Sequence, residues 1–300
     1  MTLPRYCPAG ATYLVTRRCF GGSFFLVPRP WIRRLFGYCL ALAANRYDIS
    51  LHGFVVMSNH WHAVLTDPTG QVDRFLCHLH ALTARAINAG HRRRDGFWSR
   101  SAASLVRLET EEAVMRELVY VQTNPVKAAL TPTGKGWPGL RGLVTHTTDH
   151  AGTQKRPKGF FRRRGTCPER VSLRLTLPPQ FEGDRRAFKL AIADAVAERE
   201  AETRDAMRRE GRAFLGARRA MRQRWDRRPK RPLRRSRISP TVASRHVAQR
   251  VHMLRQRAVF LTRYREAYAR WREGEEAVAF PVGTLKMRRF PRVMIPQPEA

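Results

Sequence analysis

Two histidines one residue apart, His60 and His62, and a tyrosine followed four residues later by an asparagine, Tyr120 and Asn124, have the types and spacing that suit chemistry. On a strand, side chains at i and i+2 share a face with Cα atoms roughly 6.5–7 Å apart. Both imidazoles could then lean onto one metal ion, with Trp61 between them turned into the core. On a helix, i and i+4 share a face, so a hydroxyl nucleophile and an amide oxygen would be presented together, and Asn124 could add a neutral oxygen ligand. Each signal is weak alone. An isolated H-x-H on a strand is more often two solvated histidines. A tyrosine flanked by Leu118 and Val119 is more often a core residue with a wet tip, and an asparagine before Pro125 usually ends a helix.

The elements that must position these residues are legible from periodicity. Ala11 to Cys19 reads as a strand broken by Gly21 and Gly22, and Pro30 to Asn45 as a helix with Ile32, Leu35, Phe36, Cys39, Leu40 and Ala43 on one face. Ile49 to Met57 and His60 to Thr66 read as strands joined at Ser58–Asn59 and stopped by Asp67–Pro68. Val72 to Ala89 predicts a second helix. Gly90 to Arg100 is a basic loop carrying Phe97 and Trp98, and Ala103 to Leu108 a fourth strand. Thr110 before Glu111 and Glu112 starts a helix expected to run to about Thr123. This order predicts an α+β, ferredoxin-like split βαβ unit with an antiparallel sheet and an added helix bearing Tyr120.

Charge divides the chain. There are 57 Lys and Arg against 24 Asp and Glu, a formal +33. Residues 1–150 hold 18 basic and 9 acidic side chains, net +9, and residues 151–300 hold 39 and 15, net +24. Such a surface repels itself without a polyanion nearby, which makes nucleic acid the expected partner. No apolar run approaches the ~20 residues that span a bilayer, and Met1 to Gly10 has no secretory pattern, so no membrane role and a cytoplasmic, nucleoid-associated location are expected. The five scattered cysteines form no C-x-x-C pair and argue against a zinc ribbon or a disulfide framework. The expected organisation is a catalytic domain over 1–150, a basic linker over 151–182 that includes Lys155 to Arg164, and a basic, mainly helical region over 183–300. That last region is expected to have helical character from Asp184 to Trp225, a basic break from Pro229 to Pro240, helix again from Thr241 to Arg272, and a hairpin near Gly283. The C-terminal half is expected to add nucleic-acid affinity and holds no paired carboxylates or metal-ligand spacing, so that a chain cut near Gly152 would keep whatever chemistry the first half carries.

Three segments together resemble one family. Val55 to Leu65 (VVMSNHWHAVL), Phe97 to Arg100 (FWSR) and Tyr120 to Leu130 (YVQTNPVKAAL) resemble, in order and separation, motifs of the REP-associated tyrosine transposases and their insertion-sequence relatives, the His-hydrophobe-His single-tyrosine class. The resemblance covers roughly residues 10–145. Ser58 stands where the family has Pro, Trp61 where it has an aliphatic residue, and Gln122 and Thr123 where it has His and Leu. Some relatives carry Gln at the position of Asn124.

The resemblance implies a DNA transposase acting on single-stranded or hairpin DNA. Tyr120 would be the nucleophile, leaving a 5′-phosphotyrosine and a free 3′-hydroxyl. His60, His62 and Asn124 would hold Mg²⁺ or Mn²⁺, and Arg17, Arg18, Arg92, Arg93, Arg94, Arg100 and Lys127 would meet DNA. Relatives work as dimers or monomers, so a homodimer is open. The alternative reading is a nucleic-acid-binding protein without enzymatic activity on the same fold, in which Tyr120 and the histidines are structural.

Overall fold

The computed structural model describes residues 4–143, 150–162, 164–181, 183, 185–229, 240–284, 287 and 290–296. Its centre is a six-stranded sheet. Strand β1 (Ala11–Arg18) leads through a 3₁₀ turn at Phe20–Gly22 to helix α1 (Pro30–Arg46). Strands β2 (Ser50–Val56) and β3 (His60–Asp67) form a tight hairpin, closed where Met57 N–H donates to His60 O at 2.9 Å. Helix α2 (Val72–Gly90), strand β4 (Ser104–Leu108), helix α3 (Glu111–Lys127) and strand β5 (Arg141–Leu143) follow. The strand order is β5-β2-β3-β1-β4, all antiparallel, and a two-residue strand β8 (Val242–Ala243) adds parallel to β4 at the edge. The sheet is therefore mixed, not purely antiparallel as expected. The C-terminal half returns to cover the β4 edge, where Arg107 N–H donates to Thr241 O at 2.9 Å, leaving fewer open ladder groups there.

The two faces of the sheet are covered differently. Trp61, fully buried, packs edge-on against Phe36 of α1 and donates its indole N–H to His80 of α2 at 3.1 Å. Helices α1 and α2 thus lie on the Trp61 face. Helix α3 lies on the other face, the one that carries His60 and His62. Gly53 on β2 permits its approach: a Cβ there would sit 2.8 Å from Leu118 Cδ2. The N-terminus of α3 is capped by Thr110, whose Oγ1 accepts from Ala113 N–H at 3.0 Å. Its end differs from expectation, because the helix continues through Pro125 to Lys127. Proline removes one donor yet keeps helical φ, and Ala128 N–H still closes on Asn124 O at 2.9 Å.

The segment 151–182, expected as a linker, instead carries a hairpin of β6 (His150–Lys155) and β7 (Arg170–Arg174). Val171, Leu173 and Leu175 are buried in the same core as the sheet. Its alternating apolar positions sit among so many basic residues that composition hides them. Within 183–300, helix α4 (Arg185–Arg209) buries Phe188 and Ile192 in that core, and Glu200 accepts from Gly134 N–H at 2.7 Å. Gly211 and Gly216, both with positive φ, break the expected long helix before α5 (Ala217–Arg222). The 1–150 region thus shares one core with α4 and α5. Helix α6 (Val247–Arg272) packs with strand β9 (Val278–Ala279), which pairs in parallel with β10 (Val293–Met294), in a smaller cluster of Phe260, Tyr264 and Phe280. Of the expected basic break, 230–239 lie outside the described residues, as does 163 of the basic run. So do 285, 286, 288 and 289 of the expected hairpin, although Gly283 does sit in a turn. All five cysteines are free thiols.

Candidate active site

The register of β1 on β3 builds the floor of the site. Thr16 lies opposite His62, and Arg18 opposite His60. Cross-strand partners point to the same face, so Thr16, Arg18, His60 and His62 form one cluster. The two imidazoles sit with ring centroids 4.8 Å apart. From above, α3 lowers Tyr120 onto them. Its ring centroid is 5.2 Å from that of His62, and its hydroxyl lies 3.4 Å from His62 Nε2. The Asn124 side chain, one helical turn on and 7% exposed, faces the same cluster and bears on the electrostatics of both the His60 imidazole and the Tyr120 hydroxyl. The pairing of sequence-distant His60, His62, Tyr120 and Asn124 is thus realised in space.

Each imidazole is held through its Nδ1. Asn59 Nδ2 donates to Gly22 O at 3.1 Å, which turns its Oδ1 toward His60. That oxygen can only accept, so His60 Nδ1–H donates to it at 2.6 Å and Nε2 keeps its lone pair. His62 Nδ1 meets Thr16 Oγ1 at 2.7 Å. With the proton on Nδ1, His62 donates to Thr16 and its Nε2 accepts from Tyr120. In that tautomer Nε2 carries the lone pair on both rings, with that of His62 resting against the Tyr120 hydroxyl, the ring orientation that outer hydrogen bonds give metal-binding histidines. Thr16 and Asn59 were not singled out from sequence. The β1–β3 register would have pointed to Thr16.

Burial sets the protonation. His62 is 4% exposed and Asn124 7%. Burial, then the neighbouring Arg18, pushes the His60 pKa down to about 4, while the Asn124 side chain opposes the change. Burial, then the nearby His60 and Arg18, also push the His62 pKa well below its ordinary value. Both rings are neutral at pH 7 and can bind a cation. Burial raises the Tyr120 hydroxyl pKa, against the lowering effects of Asn124 and Arg18. The donor set fits a divalent ion as two imidazoles and an amide. Among the described residues, no group of three or more His, Cys, Asp or Glu could hold a metal.

The seven cations expected to meet DNA fall into three groups. Arg18 and Lys127 border the site: Arg18 is exposed, and Lys127 Nζ lies 5.4 Å from the Tyr120 ring centroid. Arg92, Arg94 and Arg100 are exposed on the loop after α2 or the one leading to β4. Arg17 and Arg93 are engaged internally. Arg17 donates to the carbonyls of Ser99 and Ser101 and holds that loop to β1. Arg93 lies 3.9 Å over the Phe25 ring and donates to Asn88 Oδ1 at 3.0 Å.

No family model matches the chain, and no curated protein matches it. Among solved structures, one described as the REP-associated tyrosine transposase bound to a REP hairpin is similar to 46% of this chain and 81% of its own, at 17% identity and a TM-score of 0.40. No helix among the described residues is long and apolar enough to cross a membrane.

Proposed function

We propose that this chain is a DNA transposase that cleaves and rejoins single strands through a covalent phosphotyrosine, on a ferredoxin-like core formed by β1 to β4 with α1 and α2. The carrying observation is the convergence of the Tyr120 hydroxyl, 3.4 Å from His62 Nε2, with two imidazoles whose Nδ1 atoms are tied to Thr16 and Asn59. A structural tyrosine and two structural histidines have no need of a shared focus, which weighs against the binding-only reading.

In this account the Tyr120 oxygen attacks a backbone phosphorus, the bond from phosphorus to the 3′-oxygen breaks, and the tyrosine proton ends, through solvent, on that 3′-oxygen. A 5′-phosphotyrosine and a 3′-hydroxyl result, and a DNA 3′-hydroxyl can reverse the step. His62 meets the phenol at 3.4 Å, and Arg18 and Lys127 offer positive charge to the phosphate. His60, His62 and Asn124 would hold Mg²⁺ or Mn²⁺, with imidazole favouring Mn²⁺. When bound, the ion supplies Lewis-acid polarisation of the phosphate. The partner is single-stranded or hairpin DNA, and the place of action is the cytoplasm at the nucleoid.

The test is incubation with hairpin-bearing single strands and Mn²⁺, followed by denaturation and peptide mapping. A nucleotide-bearing peptide containing Tyr120 supports the reading. An adduct on another residue, or none, contradicts it.

A further inference from the structure

Residues 223–229, which follow α5, run back across the catalytic end of the sheet. Phe24 N–H donates to Arg227 O at 2.9 Å, and Ser58 Oγ donates to Gln223 Oε1 at 3.4 Å. Trp225 stacks on His91 with centroids 4.5 Å apart and packs on Phe25 at 6.2 Å, with Arg93 5.8 Å over its ring. This anchored strap places Arg228 against the 3₁₀ turn. A Cβ built on Gly21, whose φ is +60°, would meet Arg228 Cζ, Nη2 and Nε at 3.0, 3.1 and 3.2 Å, so the guanidinium lies across that glycine. Gly22, the next residue, accepts from the Asn59 amide that holds His60. Arg228 is exposed, and among the described residues no carboxylate pairs with it. The same turn presents Phe20, 36% exposed, with Arg100 6.0 Å from its ring centroid.

An exposed aromatic ring beside unpaired guanidinium groups is the composition of a sequence-tolerant single-strand platform. The rings stack bases and the cations follow phosphates. We propose that Phe20, Arg100 and Arg228 form such a platform for the strand flanking the cleaved phosphate, with the C-terminal half supplying Arg228 through the Trp225-anchored strap. This inference rests on the reading that single-stranded DNA is the substrate. It makes the basic half part of the rim of the site and not only a source of distant positive charge.

The experiment measures Kd for labelled oligothymidine against salt, in chelator, with the full-length Tyr120→Phe chain so that no adduct forms. Against that parent, Arg228→Ala should make the slope of log K on log salt shallower by about 0.7, one single-strand phosphate contact. Arg208→Ala, an exposed arginine on α4, should leave the slope unchanged. Phe20→Ala should weaken binding about ten-fold at unchanged slope, and Phe20→Trp should retain binding. An unchanged slope for Arg228→Ala, an equal change for Arg208→Ala, or parental affinity for Phe20→Ala would overturn the platform. Those results would leave the cleavage reading standing. Absence of any adduct in the unsubstituted protein would remove the cleavage reading and leave the platform standing.

Discussion

The Tyr120 hydroxyl lies 3.4 Å from Nε2 of His62, the ring nitrogen opposite the one tied to Thr16 at 2.7 Å. The candidate nucleophile and the candidate metal ligand thus share one focus, and a strand neighbour holds the ligand's other ring nitrogen. The geometry makes Thr16 and Asn59 as testable as the histidines themselves.

His60→Ala and His62→Ala should each abolish cleavage at low Mn²⁺, since each removes one of the two imidazoles brought together at the site. Thr16→Val should weaken Mn²⁺ binding by about ten- to a hundred-fold through loss of the Nδ1 partner, with Thr16→Ser close to unsubstituted. Titration of Mn²⁺ by calorimetry or its spin resonance measures this directly. Unsubstituted affinity in Thr16→Val would show that the Nδ1 bond does not tune the site.

Buried histidines away from the site should make the fold acid-sensitive. His52 bonds Thr176 O at 2.9 Å and Thr66 Oγ1 at 2.7 Å, and burial holds its pKa down to about 4 from an ordinary 6.5. His80, between Trp61 and Trp98, is held down by burial to about 3. The unfolded chain takes up these protons first, so their contribution is present above pH 6.5 and is lost as pH falls through the folded values. His52 alone should cost roughly 2 kcal/mol by pH 5. Denaturant unfolding at pH 7 and pH 5 measures it, and equal or greater stability at pH 5 would contradict it.

A chain cut near Gly152 should fail to fold cooperatively, contrary to what charge partition suggests. It loses Val171, Leu173, Leu175, Phe188, Ile192 and Ala220 from the shared core, where each large apolar side chain contributes about 1.5–3 kcal/mol. It also loses the Glu200 carboxylate that accepts from Gly134. A cooperative thermal transition at the full-length midpoint would show that the two halves are independent.

Much of the site could be read from the sequence because it rests on local periodicity. The i, i+2 spacing put His60 and His62 on one face, and the Thr110 cap and helical spacing put Tyr120 and Asn124 on another. What stayed hidden depends on contacts between distant segments. Nothing in VSLR at 171–174 announces a buried strand, because the apolar positions are two residues of alternation within a basic run. The strand at Val242–Ala243 is too short to carry a pattern, and it forms by extending a sheet edge that the sequence does not display. Trp225 reads as an isolated aromatic until His91 and Phe25 meet it. The arginines at 17 and 93 look like free cations because the carbonyls and rings that occupy them lie elsewhere in the chain.

The most direct measurement compares Tyr120→Phe with the unsubstituted protein on hairpin-bearing single strands in Mn²⁺, reading covalent adduct after denaturation and DNA affinity before it. Removing one oxygen from a half-buried ring should leave affinity within a few-fold, because phosphate contacts dominate binding, while the adduct disappears because the attacking atom is gone. An adduct that persists in Tyr120→Phe would contradict the account, placing the nucleophile on another residue.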